Sequence, residues 1–147
     1  MIEISMEKYQ DIKDEVKSLT QDHFVEAGMY PDKISLGINE AVVSSDFYYL
    51  FVARDDGELV GYIGYFVQPA QHYDNVLMAI HDVIYVDEAH RSMEIASSLI
   101  DFAEEVFSEI DVKIMTITLK RQSSLARNNG YDLDSYLYTK FIGKENG

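Results

Sequence analysis

Asp82-Val-Ile-Tyr-Val-Asp-Glu-Ala-His-Arg-Ser-Met-Glu-Ile-Ala-Ser-Ser-Leu-Ile100 joins an apolar run to an amphipathic one through a short polar segment. Its apolar start belongs to a strand running from Val76 to Val86, followed by a polar loop. Arg91 then opens a helix to Phe107, with Ile95, Leu99, Phe102, Ala103 and Val106 on one face and Asp101, Glu104 and Glu105 outside. The first N–H groups of a helix lack internal partners, and the helix dipole adds partial positive charge there. A strand–loop–helix junction of this kind suits phosphate.

Working outward, Lys113 to Leu119 is a β-branched strand, and a strand, long helix, strand succession implies a parallel pair. Upstream, Phe47 to Arg54 and Leu59 to Val67 flank Asp55-Asp56-Gly57-Glu58, which predicts a β-hairpin. Pro69 to Asn75 is a loop. Lys8 to Ala27 carries apolar residues every three to four positions, an amphipathic helix that Gly28 and Pro31 stop. Ile2 to Ile4 is a short first strand, and Ile34 to Val42 a second, shorter helix that Gly37 weakens. Gln122 to Asn128 is a short helix, Gly130 a turn, and Tyr136 to Ile142 the last strand. The expectation is one mixed α/β (α+β) domain over residues 1–147: a mostly antiparallel sheet with one parallel strand pair and flanking helices.

The composition agrees. The 147 residues are 47% hydrophobic and 26% charged, ordinary for a globular domain. A net charge of −14 does not make the chain a disordered acidic tail, because 11 Tyr and 7 Phe would not stay solvated. The absence of cysteine excludes a disulfide scaffold and a thiolate nucleophile. Histidines at 23, 72, 81 and 90 show no metal-ligand spacing, so no metal is expected. No apolar run reaches the roughly 18 residues that span a membrane, and the opening residues lack a signal peptide's basic start and apolar middle, which predicts a cytoplasmic protein. Nucleic acid is an unfavourable partner for this charge, whereas amines and lysine-bearing proteins are attracted by it. The same charge also serves solubility alone.

The stretch from Asp82 to Ile100 resembles the acetyl-CoA-binding motif of the GNAT N-acetyltransferase superfamily, an apolar strand and turn followed by Arg/Gln-x-x-Gly-x-Gly/Ala at a helix start. Arg91 and Ala96 fit that pattern, and Leu99-Ile100-Asp101-Phe102-Ala103-Glu104 resembles the helix that follows. Leu59-Val60-Gly61-Tyr62 resembles the family's third strand, and Ala126-Arg-Asn-Asn-Gly-Tyr131 its late Lys-Leu-Gly-Phe turn. The element order agrees along essentially the whole chain. His72-Tyr73, Asp82 and the Tyr85 to Arg91 turn look most like small acetyltransferases encoded by bacteriophages. Three positions depart from the pattern: Glu94 stands at the central glycine, Glu88 at the turn proline, and Ala126 at the tyrosine that commonly serves as general acid. A carboxylate at 94 would repel phosphate.

The resemblance implies acetyl-CoA as co-substrate, with Ile84, Tyr85 and Val86 pairing through their backbone with the pantetheine arm. Arg91, Ser92, Met93, Glu94, Ile95 and Ala96 would then hold the pyrophosphate. It also implies a general base on this strand. Asp82 matches that position, and a carboxylate inside an apolar run is costly unless it is paired or functional. Pairing with a local donor such as His81 is the competing role. His81 alternates onto the opposite face, so one of the two faces a cleft. His72 and Tyr73 lie on the entering loop, and His90 beside Arg91 is either a phosphate contact or an exposed turn residue. For the acid missing at Ala126, the nearby tyrosines are Tyr131, Tyr136 and Tyr138, of which Tyr138 is taken here; each also has a packing role open to it. Ser123 and Ser124 are weak donors or helix caps. The aromatic run Tyr48, Tyr49, Phe51, Tyr62, Tyr65 and Phe66 reads as cross-strand packing on the hairpin.

The expected activity is acetyl transfer from acetyl-CoA to a primary amine, on a small molecule or a protein lysine, by direct attack; a homodimer is left open. The competing expectations are a binding protein that has kept the fold and lost the cofactor, favoured by Glu94 and Ala126, and an acidic surface that occupies a basic site on a host or virion protein.

Overall fold

The computed structural model describes residues 1–27, 38–91, 93–119, 124–134, 140 and 142. Five strands form one sheet in the order β1 (Ile2–Met6), β2 (Tyr48–Asp55), β3 (Glu58–Pro69), β4 (Leu77–Val86), β5 (Val112–Met115). The first three pairings are antiparallel and β4–β5 is parallel. Helix α1 (Tyr9–Ala27) joins β1 to α2 (Glu40–Val43), α3 (Met93–Glu109) crosses from β4 to β5, and α4 (Ser124–Asn128) follows.

The hairpin forms where the sequence places it. Asp55 faces Glu58, and Asp56 and Gly57 take φ of 49° and 89°, so both central residues are left-handed, as a two-residue turn between twisted strands requires. The sheet is apolar on both faces. On one, Phe51, Ala53, Val60, Ile63 and Tyr65 meet Ile95, Leu99, Ile100, Ala103 and Phe107 of α3. On the other, Leu50, Val52, Leu59, Tyr62 and Tyr85 meet Tyr9, Ile12 and Val16 of α1. Phe107 sits edge-on to Phe51 and Tyr65, with centroids 5.5 and 5.2 Å away. The hairpin aromatics pack across strands as expected: Tyr48 lies directly opposite Phe66, centroids 4.9 Å apart. Arg54 fastens α1 to the end of β2, donating to Glu7 and Glu15 at 2.7–3.1 Å.

Several boundaries differ from the sequence expectation. Strand β1 runs on to Met6, β3 to Pro69 and α3 to Glu109. The helix expected from Arg91 starts at Met93, because Asp87 caps a separate turn, Glu88–His90, and Arg91 follows it in an extended conformation. The strand expected over Lys113 to Leu119 leaves its ladder at Met115, and after one more backbone bond, from Thr116, side-chain bonds hold the segment to β4. The second helix is described only from Glu40, capped by Asn39, whose side chain accepts from the Val42 amide at 3.3 Å. The strand expected over Tyr136 to Ile142 lies outside the described residues apart from positions 140 and 142.

Candidate active site

The site begins where two parallel strands part. Pairing between β4 and β5 stops at Ala79 opposite Met115, although β4 runs on to Val86. Past that point the Thr116 amide donates to the Ala79 carbonyl (3.0 Å), and the His81 amide donates to the Thr116 hydroxyl (3.0 Å). The Thr118 amide donates to His81 Nδ1 (3.1 Å). That geometry assigns the proton of the neutral ring to Nε2. His81 is 7% exposed and edge-on to Tyr65 at 5.6 Å. It is a strut between the diverging strands.

On the opposite edge of β4 the ladder slips. Tyr65 pairs with His81 but Gly64 pairs with Val83, so Asp82 is an extra residue, a β-bulge. The slip inverts the alternation along β4: Ala79 and His81 face α3 before it, whereas Ile84 and Val86 face α3 after it, and Val83 and Tyr85 turn toward α1. Asp82 and His81 do face opposite ways. Asp82 is not paired with His81; Oδ2 accepts from the Tyr48 hydroxyl at 2.8 Å. Asp82 is exposed, yet neighbouring protein displaces part of the water around its carboxyl. Burial therefore pushes its pKa above the usual carboxylate value, against the pull of the Tyr48 donor. Burial beside Asp82 also pushes the Tyr48 phenol well above its usual range, so it remains a proton donor.

At the far end of β4, Tyr85 and Val86 are nearly buried and Ile84 is half-buried. Four residues of strand, about 13 Å, separate Asp82 from Val86. Asp87 accepts from the His90 amide at 2.9 Å and contacts Nδ1 at 2.8 Å, while His90 Nε2 meets Asp55 of the hairpin turn at 2.9 Å. The hydrogen bonds to Asp87 first, and then to Asp55, raise the imidazole pKa. His90 thus locks the loop to the β2–β3 turn, with both ring nitrogens engaged by carboxylates. Arg91 turns back onto the strand end: Nε and Nη2 donate to the Val86 carbonyl at 3.3 and 3.1 Å, and the guanidinium carbon lies 5.5 Å from the Tyr85 ring centroid.

Of the expected pyrophosphate residues, Ile95 and Ala96 are buried in the core and Glu94 is exposed. Ser92, the expected acid Tyr138, and Tyr136 and Ser123 lie outside the described residues. Tyr131 is half-buried against the α3-side core, and burial raises its pKa. Tyr73 is 61% exposed and His72 is exposed. Among the described residues no group of three histidine, aspartate or glutamate side chains could hold a metal. None of the described helices is long and apolar enough to cross a membrane.

A released strand edge running into a tight turn and the start of a long helix fits an elongated cofactor with a phosphate end. The fit is better along the strand than at the helix, where Glu94 brings a negative charge.

Sequence reasoning missed Tyr48 as a partner of Asp82 and missed Gly64, over which Tyr48 lies. A glycine in the middle of a strand of bulky residues is the signal that would have found them.

The class defined by this fold and site is a mixed α/β domain built around a parting parallel pair. Residues 10–128 match the acetyltransferase (GNAT) family, and the chain belongs to it. No curated protein matches the sequence. Among solved structures, an aminoglycoside acetyltransferase from an uncultured soil metagenomic sample, in complex with sisomicin, superposes with a TM-score of 0.77 at 16% identity, covering 97% of each chain. A ribosomal-protein-alanine N-acetyltransferase from Brucella melitensis biovar Abortus 2308 gives 0.73 at 21% identity, covering 96% of this chain and 99% of that one. A predicted acetyltransferase from Clostridium acetobutylicum, with acetyl-CoA, gives 0.72 at 13% identity, covering 95% and 96%. At these identities the likeness speaks for the fold.

Proposed function

We propose that the chain transfers acetyl from acetyl-CoA to a primary amine, with Asp82 as the general base. The observation that carries this reading is a carboxylate on a β-bulge, placed beside the parting of β4 and β5 and held by the Tyr48 hydroxyl. Family membership supports the acyl donor, and the neighbours named for aminoglycoside and for ribosomal-protein-alanine acetylation support an amine acceptor, on a small molecule or a protein.

In this reading the backbone of Ile84, Tyr85 and Val86 aligns the pantetheine arm, and the amides opening α3 face the pyrophosphate. Asp82 takes a proton from the acceptor ammonium, directly or through one water. The freed amine nitrogen bonds to the thioester carbon, the C–S bond breaks, and the departing thiolate takes up the second proton, which the acylated nitrogen sheds, leaving a neutral amide and the free thiol. Proton removal by a positioned base is worth about 10²–10⁴ in rate. The products are an N-acetyl amine and CoA.

The test is calorimetric titration with acetyl-CoA together with turnover of Asp82→Asn. Binding to both proteins, with turnover lowered at least tenfold in the variant, is expected. Absence of binding at millimolar acetyl-CoA overturns the enzyme reading. It would favour instead a binding protein that keeps the fold, to which Glu94 in the first turn of α3 and Ala126 at the acid position point.

A further inference from the structure

We propose that Tyr48 and Gly64 are positioning residues for Asp82: the Tyr48 hydroxyl, crossing β3 above Gly64, fixes one carboxylate oxygen and reserves the other for the acceptor's proton. This rests on Asp82 being the base. Tyr48 opens β2 and Asp82 lies on β4, so the contact spans the width of the intervening strand β3, two interstrand steps of about 4.8 Å each. The ring crosses that strand where it has no side chain. A Cβ on Gly64 would collide with the Tyr48 hydroxyl and stand 2.7 Å from Cζ. The edge-on contact with Phe66, directly opposite on β3, holds the ring from the side.

The bulge does the rest. It is the extra residue at Asp82 that leaves its side chain beside Tyr48 and not locked in a regular cross-strand pair. With Oδ2 accepting from Tyr48 at 2.8 Å, the carboxylate has one defined rotamer, and Oδ1 is the oxygen left for an incoming ammonium. The titratable groups facing Asp82 are Tyr48 from β2 and, further off, Tyr62 from β3. Among the described residues no lysine or arginine pairs with it. Among the described residues the hydroxyl is thus the one donor set against the burial that favours the neutral acid, and it draws the carboxyl back toward the ionised form.

The test compares Tyr48→Phe, Gly64→Ala and Asp82→Asn with the parent protein. Carbon-13 NMR follows the Asp82 carboxyl through a pH titration, and kcat/KM for an amine acceptor is measured over the same range. In Tyr48→Phe the carboxyl should titrate about one unit higher, a tenfold change in proton affinity. The acidic limb of kcat/KM should move with it, while KM for acetyl-CoA stays within twofold. Gly64→Ala, which displaces the hydroxyl without removing it, should give the same direction of shift. An unshifted carboxyl titration in Tyr48→Phe, with Asp82→Asn inactive, overturns the positioning role and leaves the base assignment standing. Full turnover by Asp82→Asn overturns the base assignment and this proposal with it.

Discussion

Replacing His81 by leucine tests whether a side chain, and not a ladder, holds the parting strands. The substitution keeps an apolar group of similar bulk in a position that is 7% exposed, but removes the acceptor for the Thr118 amide. Leaving a half-buried amide without its partner costs about 1–3 kcal/mol. Losing the edge-on contact with Tyr65 adds about 0.5–1.5 kcal/mol. Leucine recovers some of the packing, and water reaches part of the vacated amide, so the net loss should be near 2 kcal/mol. For a chain of this size that lowers Tm by roughly 8 °C, at about 4 °C per kcal/mol. The informative assay is amide hydrogen exchange. The Thr118 amide should exchange at least about tenfold faster in His81→Leu, the equivalent of 1.4 kcal/mol. In His81→Asn, whose side-chain oxygen stands near the place of Nδ1, it should stay protected while Tm still falls. Unchanged Thr118 exchange in His81→Leu, together with the full drop in Tm, would refute the strut and reduce His81 to ring packing.

The loop after β4 and the start of α3 give two further tests. His90 is held by Asp87 and Asp55, and its pKa is raised in the folded protein. Its stabilising contribution is therefore fully present below the ordinary histidine pKa of about 6.5 and lost as pH rises through the higher folded value. Thermal melts between pH 5.5 and 8.5 should show the parent protein losing its advantage over His90→Asn toward high pH, and a constant gap between the two would refute this. Glu94→Gly should tighten acetyl-CoA by removing an exposed carboxylate from the first turn of α3, and the gain should shrink in high salt. Weaker binding in that variant would mean that Glu94 contributes to the site.

The elements were readable wherever the signal was local. Asp56-Gly57 announces the hairpin because a two-residue turn needs positive φ at both positions. The apolar face of α3 follows from its 3.6-residue period, and the parallel pair follows from a long helix between two strands. The strand–loop–helix junction and the resemblance to the GNAT family come from the same contiguous run. Even the opposed facing of His81 and Asp82 could be read, since neighbours on a strand alternate.

How Asp82 is held was decided by the tertiary structure alone. A phase slip in a strand leaves no mark in a run such as Ile80-His-Asp-Val-Ile84, where every residue but two is apolar. The slip depends on which residues of β3 pair with it. The Tyr48 hydroxyl reaches Asp82 from 34 positions away in sequence, and does so only because an intervening strand carries glycine at the crossing. Likewise β5 ends early because His81 and Thr116 insert side-chain hydrogen bonds where β propensity alone would continue the ladder. Local sequence sets backbone periodicity; register and the meeting of distant side chains are set by how the strands settle against one another and against the two helices that cover them.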